Sequence, residues 1–404
     1  MRPAVGGRPT VLHYCQHSVG LGHLVRSLSV AGALARSFRV VLVSGGAVPS
    51  EIEAPEGVEL RALPPVGSGN GAGSGLVSLE PGVDLGEAFR RRQEILLGLL
   101  DELEPVALLI EMFPLGRRKF AGELLPLLEA ARALRSPPVI ACSVRDILVA
   151  NGPEQQSRDD EATRRLNQYF DVVIVHADPR LIKLDETFRP STVITSPVLY
   201  SGFVVPTGER PSRTPRVSNS PPEVLVSAGG GMVGATLLRT AAEAHRLHLA
   251  AIGITTRIVT GPFLPAEDAL ALHAVAAHCP RLKVERFVPD LCAAMTRASA
   301  SVSQCGYNTA LDVVRAGVPA LVVPYDAGRE TEQTERASRL AALGLMRVLP
   351  TRNLSPARLA YEIVQLFSSA PTEVQLDLNG AEATAEIVAR LVAESGDDTA
   401  TVLE

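Results

Sequence analysis

Short runs of β-branched and aliphatic residues alternate along this chain with longer Ala/Leu-rich stretches of helical period. That alternation specifies parallel sheets wrapped by helices, because parallel neighbours need a long crossover and a helix supplies it. In the first half it predicts strands over 10–14, 39–43, 107–110, 139–143, 172–175 and 193–195, with helices over 24–36, 96–103 and 124–134. A second series follows, with strands over 224–227, 257–260, 282–285, 299–303 and 320–323. Between them, 206–222 holds a cluster of Pro among polar residues with no apolar period, a linker composition.

With 404 residues, two domains are expected. The boundaries read as 1–203 for the first α/β domain, 204–222 for the linker and 223–380 for the second domain. A helix over 381–394 is expected to pack back on the first domain, ahead of a frayed tail at 395–404. Gly- and Ser-rich 64–75 reads as a long loop, a lid or an insertion. The net charge of −5, the absence of a basic run and an aromatic share of 4% disfavour a nucleic-acid partner. No apolar stretch is long enough to span a bilayer and the N-terminus lacks a signal-peptide core, so a cytoplasmic protein without an integral membrane segment is expected. Five scattered Cys without metal-ligand spacing fit reduced thiols and predict no metal site.

Three motifs carry chemistry. The first, His17-Ser18-Val19-Gly20-Leu21-Gly22-His23, follows the first strand and opens a helix. Its glycines allow a sharp turn, and the helix start offers unpaired N–H groups. His23 falls in the first helical turn, where an imidazole acts as a base or meets a phosphate. The second, Gly229-Gly230-Gly231-Met232-Val233-Gly234, again joins strand to helix and reads as a diphosphate cradle without a P-loop lysine. The third spans Ser303 to Asp312, with Gly306, Asn308 and Thr309 at a helix start and Asp312 one turn in. A carboxylate there accepts ribose hydroxyls. Beyond the next strand, Glu332 and Gln333 are candidates for a sugar's hydroxyls. On the first domain, Glu111 is placed at a strand's carboxyl end to assist His23. His17, Gly20, Gly22, Phe113, Arg145 and Asp146 are the other candidates there for touching a second substrate, and Arg117-Arg118-Lys119 reads as a solvated face.

The segment from Ser303 to Gln333 resembles the C-terminal signature of the glycosyltransferases of family 28, the group of the peptidoglycan N-acetylglucosaminyltransferase. It is most similar to bacterial members with a Gly-Tyr-Asn-Thr turn, here Gly306-Tyr307-Asn308-Thr309. Gly20 to Leu28, Ser143 to Ile147 and Tyr200 to Phe203 resemble the same group. The sequence departs from the pattern with Asp rather than Glu at 312 and with Cys at 305.

The resemblance implies the GT-B fold, two Rossmann-like parallel-sheet domains facing across a cleft. A nucleotide-sugar donor, UDP favoured, would bind the C-terminal domain and a small-molecule acceptor the N-terminal one. Such an acceptor could be an aminosugar or an aglycone of secondary metabolism. The ribose would lie at Asp312, and the diphosphate at Gly230, Gly231, Met232, Val233, Gly234, Asn308 and Thr309. The base would meet Phe287 and Val288, and Arg257 would offset phosphate charge. It also implies inversion, His23 at the catalytic position, and neither cofactor nor metal. Nucleotide-sugar hydrolysis, epimerisation and non-catalytic binding are the rival readings.

Overall fold

In the computed structural model, residues 7–17, 21–69, 75–149, 152, 154–206, 221–327 and 331–401 are described, with the side chains of 397–401 excepted. The expected linker therefore falls largely outside the described residues, as do Gly20 and the tip of the 64–75 segment. The chain forms two compact units, one of residues 1–19, 23–207 and 376–404, the other of 20–22 and 208–375.

The first unit is built on β1 (Thr10–Cys15), β2 (Arg39–Ser44) and β3 (Val58–Ala62), with a small hairpin of β4 (Val66–Ser68) and β5 (Leu76–Ser78). Then follow β6 (Ala107–Glu111), β7 (Val139–Arg145), β8 (Val172–His176) and β9 (Val198–Tyr200). Its crossovers include α1 (Gly22–Leu34), α2 (Leu85–Leu103), α3 (Ala121–Ala133) and α4 (Gln155–Tyr169). The sheet is parallel, in the order β3-β2-β1-β6-β7-β8-β9. Its central strands are buried on both faces, which is why they read as unbroken apolar runs.

The second unit contains β10 (Glu223–Ser227), β11 (Thr255–Val259), β12 (Leu282–Glu285), β13 (Ala300–Ser303), β14 (Ala320–Val322) and β15 (Arg347–Val348). Its helices are α5 (Ala235–Ala244), α6 (Ala266–Ala277), α7 (Leu291–Arg297), α8 (Tyr307–Ala316), α9 (Glu332–Ala342) and α10 (Pro356–Leu366). The strand order is β12-β11-β10-β13-β14-β15, again all parallel. Each sheet thus grows outward from its first strand in one direction, then returns to that strand's other side and grows the opposite way.

The last helix, α11 (Gly380–Thr401), belongs to the first unit. Asp377 and Gly380 exchange backbone bonds with Phe203, at 2.7 and 3.0 Å, and the Asp377 N–H donates to the buried Asp178 carboxylate. Ala381, Thr384 and Val388 fill the seam.

Three expectations are corrected. Residues 193–195 form no strand, because Asn167 takes up their backbone: its amide donates to Val193 O (2.9 Å) and accepts from Thr195 N (2.8 Å). The strand is β9, and Val193 is 80% exposed. The 64–75 segment is not wholly loop, since its flanks pair as β4 and β5, with Gly69 N–H bonding Gly75 O. Nor does the chain fray from 395; α11 continues through Thr401. The sequence reading also missed β3, a partly buried edge strand with charges at alternate positions.

Arg92 of α2 is the polar hub of the first unit. It is wholly buried and bidentate to the buried Glu123 of α3 (2.6 and 2.7 Å). It also donates to Gln16 Oε1, Tyr14 Oη, Gly45 O and Pro64 O. Its guanidinium lies 5.4 Å from the Phe120 ring. All its donors therefore find partners, and it ties the carboxyl ends of β1 and β2 to the hairpin. The group packs so closely on the backbone that a Cβ at Gly45 would lie 2.0 Å from Gln16 Oε1. Removing one partner of such a buried pair strands the other charge. Arg92→Ala is expected to destabilise the first unit by about 3–5 kcal/mol, measured by urea unfolding; a loss under about 1 kcal/mol, the range of an exposed pair, would show that the hub carries no such weight.

Candidate active site

Where a parallel sheet reverses its growth, the loops leaving the carboxyl ends of two adjacent strands diverge to opposite faces and open a crevice. In the first unit those strands are β1 and β6. Glu111 is the last residue of β6, and His23 stands in the first turn of α1, the helix that follows β1. The reversal brings them together, with His23 Nδ1 2.7 Å from Glu111 Oε1. An ionised carboxylate only accepts, so Nδ1 carries the proton and Nε2 keeps its lone pair.

Arg26, one turn further along α1, makes a very short contact with the same Glu111 oxygen. Glu111 and Arg26 are 0% and 2% exposed, whereas His23 retains 14%. Burial lowers the His23 pKa, against the pull of Glu111, so the imidazole is neutral at pH 7. Burial alone would raise the Glu111 pKa, but His23 and Arg26 together hold it well below the usual carboxylate range. The cluster is a neutral base oriented by an anion whose charge Arg26 already shares.

His23 opens onto a cavity of about 330 Å³ within the first unit. The 112–120 segment forms one wall, joined by Ser68 and Leu76 of the hairpin, Arg145 at the end of β7, and Leu148 and Val149. Two residues of that segment, Met112 (φ 65°) and Arg117 (φ 54°), hold left-handed backbone without being glycine. Strain of this kind persists where surrounding structure enforces it, as the bonds from Met112 N to Ser143 O and from Gly116 N to Met112 O do here.

The other candidates of this unit divide clearly. Arg145 lines the cavity. Phe113 is completely buried beneath Arg165, so Met112 and Leu115 present the apolar surface expected of it. Asp146 is buried and accepts from Ile147 N; His17 is buried against Ser44 Oγ at 3.2 Å. Gly22 opens α1, and Gly20 lies outside the described residues. The triplet Arg117, Arg118 and Lys119 is not a plain solvated face but part of the cavity wall. Sequence reasoning passed over Arg26, although its i+3 spacing from His23 places both on one helix face.

In the second unit the reversal lies between β10 and β13. Gly229 to Gly234 leave the end of β10, and Cys305, Gly306, Asn308 and Thr309 leave the end of β13. Gln304 joins the two turns by donating to Val233 O (3.0 Å), and a Cβ at Gly229 would touch Thr309 Oγ1 at 3.4 Å. Gly230, Met232 and Val233 thus belong to one cluster with the α8 start. The glycines also have a packing reason the sequence did not disclose. Gly231, at φ 92°, has the carbonyl of Thr260 2.3 Å from where its Cβ would stand. Gly306 differs: its φ of −62° suits any residue and open space lies at its Cβ position.

Asp312 sits on α8, partly buried. Burial, opposed by Arg315 and reinforced by Asp290, raises its pKa to about 7. Phe287 and Val288 follow the end of β12, partly exposed. Gln333 bridges strand ends, its Oε1 accepting from both Cys305 N (2.9 Å) and Tyr325 N (3.1 Å). Glu332 is buried against Arg336 at 2.7 Å, and Arg257 is bidentate to Glu285, so both charges already have partners. Among the described residues no cluster of His, Cys, Asp or Glu has the arrangement of a metal site.

Residues 225–391 match the glycosyltransferase family 28 C-terminal domain. A curated relative, the UDP-N-acetylglucosamine–N-acetylmuramyl-(pentapeptide) pyrophosphoryl-undecaprenol N-acetylglucosamine transferase of Nitrosococcus oceani, is 33% identical over 90 residues, covering 22% of this chain and 25% of that protein. The chain thus spans about a quarter of the length of this relative. Among solved structures, the calicheamicin glycosyltransferase CalG4 aligns with a TM-score of 0.57 at 19% identity, over 98% of this chain and 96% of that one. MurG of Acinetobacter baumannii aligns with a TM-score of 0.52 at 18% identity, over 96% and 99%. Residues 225–391 are thus similar to the C-terminal domain of glycosyltransferase family 28, and the two parallel-sheet units have the fold of GT-B glycosyltransferases.

Proposed function

We propose that this chain transfers a sugar from a nucleotide diphosphate donor, UDP favoured, to a hydroxyl of a small-molecule acceptor, with inversion and without a metal. The observation that carries the reading is the His23–Glu111 pair at the mouth of a cavity large enough for an organic acceptor. The family 28 match over 225–391 and the relative's use of UDP-N-acetylglucosamine support the donor assignment. Five cysteines without disulfides fit a reducing, cytoplasmic setting. No described helix is long and apolar enough to cross a membrane.

In this reading the acceptor O–H gives its proton to His23 Nε2 as the oxygen attacks the anomeric carbon. The bond from that carbon to the diphosphate oxygen breaks, and its electron pair leaves with UDP. Attack opposite the leaving group inverts the centre. Glu111 fixes the imidazole and stabilises the imidazolium that forms. The Gly229–Gly234 turn and the α8 start hold the diphosphate through backbone N–H groups, and Asp312 accepts the ribose hydroxyls. The cavity favours transfer over hydrolysis, since water needs no such space.

His23→Ala is expected to lower kcat by about 10²- to 10⁴-fold while calorimetry still detects donor binding. A near-normal rate would remove His23 as the base. Ribose hydroxyls favour ionised Asp312, whose pKa is about 7 in the free protein. Affinity for a UDP-sugar should therefore fall roughly tenfold from pH 8 to pH 6, following the ionised fraction, and the dependence should vanish in Asp312→Asn. A flat wild-type profile would break the assignment of the ribose contact. Turnover should persist in excess EDTA; its abolition, with recovery on adding Mg²⁺, would replace the metal-free mechanism.

A further inference from the structure

Glu111 uses only one of its two carboxylate oxygens. Oε1 meets His23 and Arg26, whereas Oε2 is buried without a hydrogen bond. Leaving a buried carboxylate oxygen unmet is unfavourable, so its presence at a candidate site calls for a functional reason. A donor stands next to it. Ser143 on β7 is the in-register partner of Glu111 on β6, so the two side chains leave the same face of strands about 4.8 Å apart. A bond from Met112 N to Ser143 O (2.8 Å) locks that register at the strand ends. Ser143 is nonetheless turned to His176 of β8, with Oγ 2.7 Å from Nε2. On the other side of the ring, Nδ1 lies 2.9 Å from Ser201 Oγ, and the Ser201 hydroxyl donates to Gly202 O at 3.1 Å. A hydroxyl has one proton, so Ser201 accepts from Nδ1–H, Nε2 keeps a lone pair, and the Ser143 hydroxyl donates to that lone pair. Ser143, His176 and Ser201 are all buried. Burial and then Arg26 lower the His176 pKa to about 3, with His13 adding to them and Glu111 opposing, so the ring is neutral at pH 7. His13 on β1 supplies no donor to Glu111 either, since neither of its ring nitrogens is hydrogen bonded.

We propose that His176 is a positioning residue for the base: by holding the Ser143 hydroxyl away from Glu111, it leaves Oε2 without a donor and keeps the carboxylate a strong partner for His23. The proposal rests on the transferase reading with His23 as base. A hydrogen bond to a carboxylate stabilises its charge and weakens its pull on a neighbouring cation. Without one at Oε2, Glu111 favours the imidazolium more strongly, and His23 Nε2 becomes the better base. Arg26 already draws on Oε1, which makes the state of Oε2 the remaining control on that charge.

The test reads the strength of His23 directly, with diethyl pyrocarbonate as the probe at pH 7 and peptide mass spectrometry to follow His23 alone. The imidazole is neutral at that pH, so the rate follows the basicity of its lone pair rather than its protonation. His176→Asn keeps a donor toward Ser201 and removes the acceptor at Nε2, which releases the Ser143 hydroxyl to Glu111. Modification of His23 is expected to slow about two- to tenfold, the range of one hydrogen bond. It should return to the wild-type rate when Ser143→Ala is added to His176→Asn, because the released donor is then gone. If His176 were only structural, the double variant would be worse than the single one. An unchanged rate in His176→Asn, or a double variant as slow as the single, would overturn the proposal. Urea unfolding checks that both variants fold. Should they not, ¹⁵N spectra of the wild-type imidazoles decide: a proton on His176 Nδ1 supports the proposal and one on Nε2 overturns it. Near-normal turnover in His23→Ala would strike the base assignment alone, leaving the reactivity of His23 to judge the chain through Ser143.

Discussion

A carboxylate sealed inside a protein must be met by donors or give up its charge, and Glu111 is sealed completely. Its position at the end of β6 means those donors must come from the strand's neighbour, β1, and the helix after it. His23 and Arg26, one turn apart on α1, both reach Glu111 Oε1. The same contacts fix the imidazole's tautomer and leave Nε2 its lone pair. The order of the strands, the start of α1 and the base's protonation state are therefore consequences of one another. Arg92 and Glu123 play the matching part on the far side of β1, where they anchor the hairpin that closes another part of the cavity wall.

The two units share a strand order, and each places its candidate residues where that order reverses. They use the reversal differently. In the first unit it brings charged side chains into a buried cluster; in the second it brings backbone turns together. Gly229 and Gly231 adopt left-handed conformations there, and Gly231 packs against the Thr260 carbonyl. Backbone N–H groups suit a diphosphate common to many donors, because they offer charge complementarity without side-chain selectivity. Side chains suit an acceptor that differs from one enzyme to the next.

The family match falls within 225–391, whereas the cavity is built from residues before 150. The sequence match to the family model therefore covers the second sheet and the first part of α11, and the wall formed by 112–120 and Arg145 lies outside it. That wall combines left-handed Met112 and Arg117 with adjacent basic side chains, so its shape and its charge come from the same short stretch.

Periodicity alone placed most strands, because a parallel strand buried on both faces leaves an unbroken apolar run. It failed where another group supplied the hydrogen bonds: Asn167 holds 193–195 out of the sheet. The glycine turns, His23, Glu111 and Asp312 were legible because a strand-to-helix turn and a helix start have local chemical signatures. The partnerships were not. Arg26 on Glu111, Glu332 on Arg336, Phe113 turned inward and Arg117 turned into the cavity depend on which strands become neighbours and which faces become dry. The sequence by itself determined the elements and the residue types at their carboxyl ends, since those follow from local sterics and apolar pattern. Only the tertiary structure decided which charges meet and which line the cavity, because burial and Coulomb attraction act across distances that the order of residues does not encode.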